Sequence, residues 1–113
     1  PLNRWQGIGT VGADVQPFYD KRAHESTITI AAFDLILAGE TTSSEEDRLS
    51  NRLPCWAHGR LAEQCLDWLT PGCQVYVEGR LEITMYTRPY SSYDPSIVLT
   101  RVLLLGGREM TDD

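Results

Sequence analysis

Residues 58–83 read HGRLAEQCLDWL, then TPG, then CQVYVEGRLEI, and the fold turns on this run of helix, stop and strand. In its first part Leu61, Cys65, Trp68 and Leu69 recur at i, i+4, i+7 and i+8, one apolar stripe along a helix over 58–69. The stripe predicts that Trp68 packs in the core. Pro71 cannot continue a helix and Gly72 suits a turn, so Thr70-Pro71-Gly72 ends it. From Cys73 the period changes to two. Val75, Val77, Leu81 and Ile83 point one way, and Tyr76, Glu78, Arg80 and Glu82 the other. Gly79 interrupts the apolar face. A glycine inside a strand predicts a bend or bulge, which a sheet needs in order to close on itself.

Working outward toward the N-terminus, Leu53 to Ala57 is short and apolar and reads as a strand. Residues 40–50, ETTSSEEDRLS, are polar and mostly acidic, as at a solvated hairpin tip. Residues 26–37, STITIAAFDLIL, are rich in β-branched and apolar side chains and read as a strand. Asn3 to Val11 forms another apolar segment, with a turn at Gly12-Ala13-Asp14. Toward the C-terminus, Tyr86 to Pro95 reads as a loop, and residues 96–105, SIVLTRVLLL, as a last strand closed by Gly106-Gly107. The order is three strands, a helix and two strands. An all-β, five-stranded OB-fold barrel with one α-helix between strands 3 and 4 has this pattern.

The chain has 113 residues, the length of a single domain over 1–113, with 42% hydrophobic and 23% charged residues, as in a folded globular protein. Its net charge is −6, and apart from Lys21 every basic residue is arginine. That balance is poor for a polyanion, yet a local stripe of arginines can still stack and fork onto phosphates. Cys55, Cys65 and Cys73 match no zinc spacing and read as buried or half-buried thiols in a reducing compartment. No stretch is apolar enough to span a membrane, and the opening Pro-Leu-Asn-Arg-Trp has no signal-peptide core. A proline first residue suggests a removed initiator methionine, and a cytoplasmic location is expected.

Gly7-Ile8-Gly9-Thr10-Val11-Gly12 fits the dinucleotide fingerprint G-x-G-x-x-G. That reading needs a full strand before it and a helix after it; only six residues precede, and Pro17 follows without a helical pattern. The glycines therefore read as a strand bend and turn. No serine or cysteine sits in a nucleophile motif, and His58 near Cys55 is the one imaginable metal or nucleophile pair. His58 reads instead as a structural or base-contacting residue. The expectation is no enzyme, no metal and no cofactor.

Three stretches resemble the bacterial single-stranded-DNA-binding protein family, across nearly the whole chain. Asn3-Arg4 with Gly7 to Asp14 resembles its opening strand and turn. Gly59-Arg60-Leu61-Ala62-Glu63, running into Gly72 to Leu81, looks like its helix and fourth strand almost position by position. Leu104 to Arg108 is similar to the end of its fifth strand. The resemblance implies sequence-independent binding of single-stranded DNA, or RNA, in replication, repair or recombination. It implies a homo-oligomer, dimer or tetramer, paired through the first strand and sheet faces.

The family stacks bases on exposed aromatics, and here the chain departs from it. Arg52-Leu53-Pro54 stands where the third strand begins with a Trp-His-Arg-like sequence, His58 stands at a second aromatic position, and a third is lost near Leu35 or Ile36. Tyr86 keeps a fourth. Trp5, Phe33, Trp56, Tyr90 and Tyr93 are the candidate replacements. The family usually carries an acidic-hydrophobic C-terminal tail that recruits partners; the sequence ends at Met110-Thr111-Asp112-Asp113, and the expectation is a protein without that tail. The expected contacts to nucleic acid are Arg4, Arg52, Trp56, His58, Arg60, Arg80, Tyr86 and Arg88, with Arg101 a further arginine on the strands. Binding is expected to be weaker than usual for the family, with a salt slope of roughly −2 to −3 from three or four arginines. The alternative is an OB-fold interaction subunit of a larger assembly that has lost most nucleic-acid binding.

Overall fold

The computed structural model describes residues 2–19, 28–37, 51–87 and 92–111. The strands are β1 (Trp5–Val11), β2 (Gln16–Tyr19), β3 (Ile28–Leu37), β4 (Arg52–His58), β5 (Gln74–Tyr86), β6 (Ser92–Leu104) and β7 (Arg108–Thr111). One helix, α1 (Gly59–Trp68), joins β4 to β5. Strands run β1-β5-β6-β4-β3 and β3 pairs back onto β1, which closes a ring of five. The expected OB-fold barrel is this ring, with the helix between its third and fourth strands in chain order. All its pairings are antiparallel except β4 with β6, a parallel seam of two residue pairs, Cys55 with Ile97 and Trp56 with Val98.

Alternation builds the core. Leu53, Cys55 and Ala57 of β4, Val75 and Val77 of β5, and Ile97, Leu99 and Val102 of β6 turn inward and are buried. Leu61, Ala62, Cys65 and Leu69 at the helix join them. Each fully buried valine, leucine or isoleucine among them contributes about 1.5–3 kcal/mol. Trp68 corrects the expectation of a core tryptophan: it is 45% exposed. Ala62 shares the buried face with Cys65 and Leu69, which turns the stripe's centre away from Trp68.

The bulge falls where the glycine predicted it, with the β5–β6 register shifting between Glu78 and Gly79. A Cβ on Gly79 would lie 2.2 Å from the Val98 carbonyl oxygen, so only glycine lets the two strands approach. Gly59 has φ +58°, which turns the chain from β4 directly into α1.

Two four-residue strands, β2 and β7, were not visible in the sequence. β2 carries Pro17, which is compatible with its place outside the ring beside β3. The expected loop over 86–95 is also corrected. β5 runs to Tyr86 and β6 starts at Ser92, so the two form a projecting two-stranded arm with Pro95 opposite Ile83. Cross-strand pairing here overrides a turn-rich composition. The acidic stretch 40–50, residues 26 and 27, and Tyr90 lie outside the described residues.

Candidate functional site

On β4 the buried Leu53, Cys55 and Ala57 leave Arg52, Pro54, Trp56 and His58 on the outer face. The β5–β6 arm stands beside this face, and its pairs Thr84–Asp94 and Tyr86–Ser92 share one side of the arm. Between them lies a groove of about 360 Å3, lined on one wall by Arg52, Pro54 and Trp56 and on the other by Thr84, Tyr86, Asp94, Pro95 and Ser96. It continues into a hollow of about 250 Å3 lined by Trp56, His58, Glu82, Thr84, Ser96 and Val98. Trp56, Thr84 and Ser96 border both, so the two form one track along β4. Tyr86 is 47% exposed on the arm wall.

Of the eight expected contacts, Arg52, Trp56, Tyr86 and His58 lie on this track. Arg4 and Arg80 line a different hollow, with Asn3, Glu78, Gly79 and Thr100, over β1, β5 and β6. Arg60 is exposed in the first turn of α1, and Arg88 lies outside the described residues. Of the candidate replacement aromatics, Trp56 alone is on the track among the described residues. Phe33 is buried in the core, and Trp5 packs against the core. Tyr93 pairs with Met85, on the opposite side of the arm from Tyr86.

Carboxylates shadow the arginines. Arg52 Nη1 lies 3.4 Å from Asp34, Arg80 Nη2 lies 3.2 Å from Glu82, and Arg4 Nη2 lies 3.6 Å from Glu78. Glu78 also holds Arg101 at 3.3 Å. The Tyr76 hydroxyl, and after it Arg4 and Arg101, hold the Glu78 carboxyl below its ordinary pKa. This cluster of Arg4, Tyr76, Glu78 and Arg101 lies on the outer surface of β1, β5 and β6. It extends to Gln6, which accepts from the Tyr76 hydroxyl at 2.8 Å, and to Glu109, 2.7 Å from Arg101 Nε.

Burial pushes the Cys55 and Cys65 thiols up to about 12, with Asp34 adding a smaller push on Cys55. Such thiols are poor nucleophiles at neutral pH. Cys55 faces inward while His58, three residues on, faces outward, so the strand's period of two keeps that pair apart. Among the described residues no group of histidine, cysteine and carboxylate side chains could hold a metal.

Sequence reasoning missed Thr84, Asp94 and Ser96 on the arm wall. Their signal was the period-two alternation with Tyr86; Asp94 fell in the expected loop over 86–95, Thr84 lay just past the strand expected to end at Ile83, and Ser96 opened the expected last strand. It also missed Phe18, whose ring centroid lies 5.7 Å from that of Trp56.

A model described as "Single-strand binding protein family" matches residues 2–105. The structure titled "Plasmodium falciparum SSB complex with ssDNA" superposes with a TM-score of 0.67 at 19% identity, covering 93% of this chain and 96% of that one. No curated protein matches. No helix among the described residues is long and apolar enough to cross a membrane.

Proposed function

The chain belongs to the single-strand binding protein family, and from that premise we propose that it binds single-stranded DNA along the outer track of β4. Trp56 and Tyr86 serve as base platforms on opposite walls. Arg52 meets the backbone, and His58 extends the path toward α1. The observation that carries this reading is the groove itself, in which an aromatic, a second aromatic and an arginine converge from β4 and the β5–β6 arm. Bases stack on such rings without regard to sequence, and each platform contributes about 1–3 kcal/mol. Service in replication, repair or recombination, without catalysis or cofactor, belongs to the same reading.

The test is titration with oligo-dT across a range of salt concentrations. Arg52 is the one arginine lining the track among the described residues, and Arg4 and Arg80 lie elsewhere beside carboxylates. The expected slope of log affinity against log salt is therefore about −0.7, one phosphate neutralised, shallower than the arginine count suggests. Absence of binding at very low salt would overturn the reading. The interaction-subunit alternative would then lead, favoured by the carboxylate partners that Arg4, Arg52 and Arg80 already have.

A homo-oligomer, dimer or tetramer, belongs to the same proposal. Trp5 to Ile8 of β1 pair with β5 alone among the described residues, which leaves an edge for a second copy. Light scattering that shows a monomer at micromolar concentration would sink this part.

A further inference from the structure

Two hollows meet across β4. One is the track; the other is a cleft of about 230 Å3 on the β2 side, which shares Pro54 and Trp56 with it. Phe18 and Trp56 both line this cleft, with ring planes tilted by 43° and Phe18 46% exposed. Asp14, Gln16 and Asp34 line it as well. These polar groups are almost all acceptors. Asp14 and Asp34 bring carboxylates. Gln16 Nε2 donates to the Asp14 backbone carbonyl at 3.2 Å, which leaves Gln16 Oε1 as a further acceptor.

We propose that this cleft is a base subsite, and that it favours a base whose Watson–Crick edge donates, guanine above all. The inference rests on the track being a path for a single strand. An unstacked base offers a flat apolar face and a polar edge, and proteins read such bases by stacking on the face and hydrogen bonding to the edge. Phe18 and Trp56 supply the apolar contact; Asp14, Asp34 and Gln16 meet the edge. Guanine carries N1–H and N2–H2 side by side, two parallel donors for the Asp14 carboxylate, Asp34 already having Arg52 at 3.4 Å; it is the match an arginine fork makes with the same group. Cytosine and adenine each offer one exocyclic amine. Thymine offers a single N–H flanked by two carbonyl oxygens, which face the carboxylates as acceptor against acceptor. The acidic lining repels a phosphate but admits a neutral base. The backbone therefore stays on the track side, where Arg52 lies 3.4 Å from Asp34.

The experiment is competition on the full chain. A labelled oligo-dT is displaced by unlabelled strands of the same length, either all dT or with one central dG, dC or dA. The proteins are the parent chain, Asp14→Asn, Phe18→Ala and Phe18→Trp. The parent chain is expected to bind the single-dG strand about threefold to tenfold more tightly than all-dT, with dC and dA between. Asp14→Asn and Phe18→Ala bring that ratio to about one, because one removes the paired acceptors and the other the platform; Phe18→Trp keeps it. Asp14 is exposed, so Asp14→Asn folds whatever becomes of Phe18→Ala. A parent ratio of one, with oligo-dT still bound, overturns the subsite and leaves the track standing. So does a dG preference that folded Asp14→Asn retains. If no strand binds, the track itself has failed, and the subsite with it.

Discussion

Trp56 borders the groove, its continuation and the β2-side cleft, so this one side chain touches every part of the proposed path. Trp56→Ala is expected to weaken oligo-dT binding by about 1–3 kcal/mol, and Tyr86→Ala by a similar amount from the facing wall. Arg80→Ala serves as the contrast. Its guanidinium lines neither hollow of the track and lies beside Glu82, at the track's edge, in an exposed pair; such pairs contribute about 0–1 kcal/mol, so its removal should leave the salt slope unchanged. A slope that flattens in Arg80→Ala would show that the strand reaches the β1–β5 face. At this scale the sequence showed which residues could act but not which could meet. Arg4, Arg52 and Arg80 look alike in one dimension. The folded ring separates them, because Arg4 and Arg80 line a hollow over β1, β5 and β6 while Arg52 lines the groove between β4 and the arm.

At the scale of elements, β5 was the most legible part of the chain. Its alternation, and the break in it at Gly79, were both visible as a pattern, and the register shift lies at that break. Gly79→Ala is expected to destabilise the fold by at least about 1–3 kcal/mol, since the new methyl meets a backbone oxygen and not a side chain that can move. Urea denaturation checks it; an unchanged midpoint would mean that β5 and β6 can separate at the bulge without cost. β2 and β7 were illegible for the opposite reason. Four residues hold too little periodicity to register, and both strands exist through pairing, β2 with β3 and β7 with β6. In the arm, the sequence over 86–95 reads as a loop because serine, proline and aspartate favour turns, while the ladder from Leu81–Ile97 to Tyr86–Ser92 makes strand of Ser92, Asp94 and Pro95. Asp94 of the groove wall was hidden with it.

For the molecule as a whole, the two buried thiols tie stability to pH. Their ordinary pKa is 9.0 and the fold raises both to about 12. Below pH 9 folded and unfolded chains both keep these protons, and the stability is fully present. Between about 9 and 12 the unfolded chain loses them and the folded chain does not, so stability falls as pH rises, by at most about 1.4 kcal/mol per thiol per pH unit. Urea midpoints at pH 8 and pH 10.5 are expected to show the drop, and Cys55→Ala with Cys65→Ala to reduce it. Alkylation at pH 8 should modify the half-buried Cys73 first. Equal labelling of all three cysteines in the folded protein would contradict the burial.

The parallel seam has a mechanical meaning. A ring of strands is as closed as its shortest joint, and here that joint is two residue pairs long, Cys55–Ile97 and Trp56–Val98. The track lies directly over it, with Arg52, Pro54 and Trp56 on the β4 side and Asp94, Pro95 and Ser96 on the β6 side. Anything held in the track spans the joint like a splint across a fracture line. A ligand that recognises only the closed ring must resist its unrolling, by an amount set by its concentration relative to its dissociation constant. Gripping a strand and keeping the barrel shut are then one equilibrium read from two sides.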